Sequence, residues 1–201
     1  PNYPIAAVYR NTAPEPTGPW VMPGTYSVVL TANGKTYKQP LTVAMDPRVK
    51  TSSRDLATQF RLSRQVYDRW REFSAVQEQG RSIRTQLTLL KTKAQSQALK
   101  DHIEMLSQKV TSVLGADNAP PGAPTTTTTP TVQSTLVRLR TLFTVMQGVD
   151  LAPTPQVSAS VADVSREAAG VAASWQSIKT TDIPALNRDL SAAGLDVLRV
   201  E

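Results

Sequence analysis

Few residues in this chain are of a type and spacing that could do chemistry. His102 is the single histidine and cysteine is absent, so thiolate zinc sites, disulfides and cysteine nucleophiles are excluded together. A lone histidine cannot build a multi-histidine metal site. Asp101 and Glu104 flank it at the spacing of an ordinary solvated helix face, and nothing nearby supplies a nucleophile–base relay. Asp68 and Glu72 make an i, i+4 acidic pair amid Arg64, Arg69 and Arg71, the pattern of a surface laced with ion pairs. A glycosidase needs two carboxylates facing each other across a cleft, and no pair here announces itself. Gly-rich phosphate loops, HExxH, EF-hand loops and GxSxG elbows are all missing. No catalytic, cofactor-binding or metal-ligating residue is therefore expected. Trp20, Tyr26 and Tyr37 are the remaining group of interest, because aromatic rings on a small ribbon can present a platform to a sugar. The commoner use of such rings is as the core the ribbon buries, and that is the expectation here.

Composition sets the wider limits. The 201 residues are 40% hydrophobic, enough for one or two domains with a sizeable core. No apolar run approaches the ~18 residues of a membrane span. The net charge of +6 permits an anionic partner, but Lys and Arg are interspersed with acids and no block of like charge occurs. Nucleic acid is not an expected partner. The chain starts at Pro1 without a charged n-region or an apolar h-region, which a fragment or a processed chain explains equally well.

The elements follow from pattern. From Trp20 to Val49 the chain is organised around Asn33-Gly34, the strongest short-range hairpin signal, because both residues tolerate the positive φ of a type I′ turn. A two-residue turn sets Leu30 opposite Tyr37 and Tyr26 opposite Leu41, on one side of the ribbon. Pro40 has no N–H, so its nitrogen must face an edge or a bulge. Tyr3 to Tyr9 is a further strand candidate. A two-stranded ribbon alone is marginal in water. It must cover a helical face, pair with a third strand, or belong to a sheet whose other strands lie upstream.

Everything after Asp46-Pro47-Arg48 has helical periodicity. One long helix is expected from about Ser53 to Lys91, with a bend at Gly80 as an option, and a second from Ala98 to Leu114 with Gly115 past its end. Residues 116–130, with five consecutive threonines and several prolines, cannot build a packed core and form a loop. Helical spacing resumes from Thr131 to Val149. It resumes again from Val157 through Val161, Val164, Ala168, Val171 and Trp175 to Ile178. Asp182 and Pro184 then look like the cap and first turn of a short final helix, which Gly194 ends. The expected fold is mostly α with a small β part: an N-terminal hairpin or partial antiparallel sheet in residues 1–49, then an up-down four-helix bundle plus a short C-terminal helix in residues 50–201. The Pro/Thr-rich loop would sit at one end of that bundle.

Several of these segments resemble a family. Trp20 to Tyr26 (Trp-x-x-Pro-Gly-Thr-Tyr), the Asn-Gly-Lys turn, Pro40 to Val43 (Pro-Leu-Thr-Val), Asp46 to Val49 and Gln59 to Ser63 are similar to the C-terminal region of large bacterial proteins. Those proteins carry sortilin-like or BNR/Asp-box β-propellers and are often labelled glycosyl hydrolase. Ile183 to Asn187 and Ala193 to Leu195 resemble the end of the same region. No Asp-box occurs here, so no propeller residue is carried over. The resemblance implies an exported, extracytoplasmic protein. It implies that this chain is a non-catalytic accessory region whose partner is an upstream propeller domain of the same protein. Two alternatives stand beside it. One is a carbohydrate- or cell-surface-binding module using Trp20 and the ribbon face. The other is a contribution to a composite glycosidase site, for which Arg48 and Arg54 lie nearest the β–α junction.

Overall fold

The computed structural model describes residues 18–115 and 129–200, so the strand candidate at Tyr3 to Tyr9 lies outside the described residues. A two-stranded antiparallel hairpin, β1 (Gly24–Ala32) and β2 (Lys35–Val43), precedes four helices: α1 (Ser53–Lys93), α2 (Gln97–Leu114), α3 (Val132–Gln147) and α4 (Pro155–Ser177). A π-helical turn, Ile178–Asp182, joins α4 to α5 (Ile183–Ala192). The fold is mostly α with a small β part, as expected. The register pairs Leu30 with Tyr37 and Tyr26 with Leu41.

Local chemistry explains the helix ends. Ser52, Ser96, Thr131 and Thr154 each accept a backbone N–H of the first turn of α1, α2, α3 and α4. Thr131 and Ser134 close a reciprocal capping box. Pro155 stands in the first turn of α4, where a missing N–H costs nothing. At the far end, Leu195 N donates to Leu190 O (2.9 Å) and Gly194 N to Ser191 O (3.1 Å), with Gly194 at φ 68°. This is a Schellman motif.

The helices add one feature that periodicity did not carry. α2 runs antiparallel to α1, shown by Lys91 Nζ donating to Glu104 (2.5 Å) and Arg84 Nη2 donating to Gly115 O (2.8 Å). α3 also runs antiparallel to α1, through Gln77–Gln133 (2.6 Å) and Ser63–Gln147 (3.0 Å). So α2 covers the second half of α1 and α3 the first half, one after the other in the same direction. α4 and α5 lie alongside both, parallel to α1, with Gln65 bonded to Ser165 (3.0 Å) and Arg138 of α3 paired with Glu167 of α4. Short connections make antiparallel neighbours of α1 with α2 and of α3 with α4. The Pro/Thr segment does not; it leaves at Gly115 and returns at Thr131 halfway along α1, not at one end of the bundle. A Cβ on Gly115 would stand 2.8 Å from Thr131 Oγ1, so the two ends of that segment touch.

Two apolar clusters are stacked along this frame. The lower one joins Leu62 and Val66 to Leu139, Phe143, Met146, Val161 and Val164. The upper one joins Phe73, Ile83 and Leu87 to Ile103, Val110, Trp175, Ile178, Leu186 and Leu190. Half-buried Trp70 packs on both, its ring 5.8 Å from Phe143 and 6.4 Å from Tyr67. Trp70 and Trp175 are packing residues.

The single long first helix is met without the optional bend, while the expected cap at Asp182 is not found. α1 runs unbroken through Gly80, whose role is close approach: a Cβ there would stand 2.3 Å from Leu114 Cδ1. Asp182 is not a helix cap, because the chain passes through it in helical geometry and its carboxylate receives Lys109 Nζ at 2.6 Å. The buried positions 161, 164, 168, 171, 175 and 178 step by three or four, and the next is Ile183. That step of five would rotate Ile183 off the core in an α-helix. The π turn, in which Ile183 N donates to Ile178 O, absorbs the extra residue just ahead of Pro184.

Gly80→Ala gains about 1 kcal/mol of helix propensity and loses about 1–3 kcal/mol to overpacking against Leu114, so it lowers the stability measured by urea unfolding. In a Leu114→Ala background the same substitution stabilises, and a double-mutant cycle reads the reversal. Replacing residues 116–129 by a short Gly-Ser linker leaves the bundle folded with a thermal midpoint no lower than the parent's, because the ends already meet.

Candidate functional site

The ribbon stands away from the bundle with every strand residue exposed except Val43, which is half-buried. Strand alternation sorts its side chains. Tyr26, Val28, Leu30, Tyr37 and Leu41 share one face, while Thr25, Ser27, Thr31, Thr36, Lys38 and Thr42 dominate the other. The apolar face is the pattern of a strand pair built to lie on something, and no described element lies on it.

The aromatic residues expected in a core are in fact outside: Trp20 is 61% exposed, Tyr37 53% and Tyr26 37%. The reason is that the helices satisfy one another. The buried stripes of the helices form two clusters among themselves, and the ribbon's rings belong to neither. Tyr26 and Tyr37 are separated along the ribbon by about four residues' rise, roughly 13 Å. They form a strip and not a stacked platform. The Tyr26 hydroxyl is committed to Met22 O at 2.6 Å.

The base of the ribbon is fastened to the lower end of the bundle. Trp20 N donates to Gln147 Oε1 at 2.7 Å, and Thr51 Oγ1 donates to Asp150 O. Buried Gln59 ties down the turn after α3 by donating to Met146 O and Val149 O. The cavity between Trp20, Met45, Leu56 and Phe60 holds only about 30 Å³, room for water and not for a ligand. At the β–α corner Asp46 accepts the Arg48 backbone N–H at 2.9 Å and the Arg48 guanidinium at 2.6 Å. The Arg48 side-chain and backbone bonds hold the Asp46 carboxyl below its ordinary pKa and raise that of Arg48. Arg48 is thus bound to its own neighbour, and Arg54 lies exposed on the first turn of α1.

His102 sits at the edge of the α2 stripe, its Nδ1 2.7 Å from Asp189 Oδ2 on α5. Its other ring nitrogen has no hydrogen-bonded hydroxyl among the described residues, so the pair has no nucleophile to activate. Asp68 and Glu72 are joined to Arg64 (3.5 Å) and Arg69 (2.7 Å) on the surface of α1. Glu104 has its pKa lowered by Lys91 and Gln108. Among the described residues no group of three or more His, Cys, Asp or Glu can hold a metal, and no helix is long and apolar enough to cross a membrane.

No family model, no curated protein and no solved structure matches the chain. The site is therefore read from its own geometry: an amphipathic β-ribbon, uncovered on its apolar face, fixed at its base to a long helical frame.

Asp46 should titrate by NMR below the ordinary aspartate range, and Arg48→Ala should move its midpoint upward. The sign follows from the depressed pKa. Whatever the corner contributes to stability is present above the unfolded aspartate pKa and is lost as pH falls through the folded value.

Proposed function

We propose that this chain is a non-catalytic interaction region in which the ribbon docks on a preceding β-domain of the same polypeptide and the helical frame holds it in position. The observation that carries the reading is the uncovered apolar face of Tyr26, Val28, Leu30, Tyr37 and Leu41 on a ribbon whose own two strands are too few to be stable alone. Burying such residues is worth about 1.5–3 kcal/mol each, so a covering domain would stabilise the ribbon substantially. The fastening of the ribbon base through Trp20, Gln147 and Thr51 supports the same reading, because it transmits the docked orientation to the bundle. The resemblance to the C-terminal regions of exported β-propeller proteins makes a propeller-bearing protein outside the cytoplasm the proposed context.

A second reading has its own observation. Exposed Trp20 and Tyr37 offer ring faces to a polysaccharide or cell-surface glycan. Tyr37→Ala would abolish retention on a polysaccharide column under that reading and leave it at background under the first.

Leu30→Lys separates docking from folding. In residues 1–201 alone the substitution should change bundle stability by less than about 0.5 kcal/mol, since Leu30 touches no helix. In a polypeptide extended by its natural upstream sequence it should cost about 2 kcal/mol or more and expose the ribbon to protease. Equal, small effects in both would sink the docking reading.

A further inference from the structure

Leu56 is 7% exposed, yet neither it nor half-buried Phe60 belongs to the two apolar clusters of the bundle. Both line the cavity of about 30 Å³ at the lower end of α1, whose other walls are the feet of the ribbon, residues 20–23 and Met45, and the turn after α3. The molecule therefore has a third apolar contact, smaller than either cluster and roofed by residues outside the helices. Exposure along the feet shows which side faces it. Met22, Val43 and Met45 are half-buried, while Val21, Pro23, Ala44 and Asp46 are exposed, the alternation of extended chain laid on a surface. Further out, β1 and β2 approach only each other among the described elements. The ribbon is held by its feet alone.

The polar contacts of the two feet converge on one turn. Trp20 N donates to Gln147 Oε1 at 2.7 Å, and Thr51 Oγ1 donates to Asp150 O. Gln147 spends its amide nitrogen on Ser63, a fully buried hydroxyl of α1, at 3.0 Å. One side chain thus joins a foot of the ribbon, the end of α3 and the middle of α1. Gln59 holds the same turn independently, by donating to Met146 O and Val149 O. The bonds to Trp20 and Thr51 can therefore break without loss of the turn. A small contact closed by exposed hydrogen bonds is the kind of region that opens well below the free energy of global unfolding.

We infer that the ribbon is a pivoting arm: its feet form a strap closed over Leu56 and Phe60, the Gln147 amide is the catch, and the strap opens with both helical clusters intact. The inference goes beyond the proposed function, because it holds whatever covers the ribbon. For docking it makes Gln147 a positioning residue, which sets the direction of the arm from outside its apolar face.

The chain has no cysteine, so Thr31→Cys near the ribbon tip and Arg61→Cys on the exposed side of α1 give a unique pair for spin labels. The parent should show one narrow distance distribution. Gln147→Met removes the catch and should widen that distribution about twofold. Amide exchange at residues 20–22 and 44–46 should rise about tenfold, while exchange at residues 62–73 and 161–175 stays at the parent's rate. Gln147→Glu keeps an acceptor for Trp20 N and should restore the narrow distribution. Leu56→Ala leaves every bond of the catch in place and should open the strap by the same readouts, which tests the strap without touching α3. A broad distribution in the parent, or an unchanged width in Gln147→Met and Leu56→Ala alike, would overturn the strap. Opening in Leu56→Ala with none in Gln147→Met would overturn the catch. Helix exchange that rises in step with that of the feet in both variants would overturn the independence of the arm.

Discussion

The bundle is registered on α1. A 41-residue helix with an apolar stripe along its whole length has to be covered along its whole length, and no later helix except the joined α4–α5 is long enough to do so. The gap opposite is filled by α2 and α3 in succession. Their meeting point is set where Gly80 lets Leu114 press against the α1 backbone. A side chain at that position would press on Leu114, next to the place where Gly115 and Thr131 meet. The missing Cβ lets α2 end close against α1, and Gly115 and Thr131 meet there.

The same registration explains the π turn. α4 and α5 must follow α1 past two separate clusters, and the core positions of the last leg slip by one residue between Ile178 and Ile183. An ordinary helix would have turned Asp182 inward at that point. The wider turn lets Asp182 meet Lys109 and lets Ile183, Leu186 and Leu190 enter the upper cluster. Pro184 follows directly, so the turn also accommodates a residue that has no N–H to give. The tail is secured by the same economy of surface. Asn187 and Gln86 bracket the backbone of Leu198 and Arg199 with side-chain amides, and Leu198 closes the top of the core.

Because both apolar clusters are built without the ribbon, the ribbon is left over. Its amphipathic pattern is as regular as that of any helix here, yet the helical body offers it only a foothold at the base. The uncovered apolar ribbon face and the two buried clusters follow from one fact: the helices bury their stripes chiefly against one another. That separation is what turns an ordinary hairpin into the candidate interaction surface.

Much of this was legible in the residues. Asn33-Gly34 determined the turn, the turn determined the pairing of Leu30 with Tyr37, and the parity of that pairing determined that Pro40 faces outward. Caps and periodicity determined the helices, since Ser52, Ser96, Thr131 and Thr154 act within a turn of themselves. What only the tertiary structure decided is which surfaces meet. Periodicity marks an apolar face without saying what covers it, so Trp20, Tyr26 and Tyr37 read as core when they are exposed. It also does not say whether successive helices fold back or continue, so the long loop read as an end connection when its termini touch at mid-length. Local sequence acts through near-neighbour hydrogen bonds and sterics, whereas burial is allotted by competition among all the apolar faces at once.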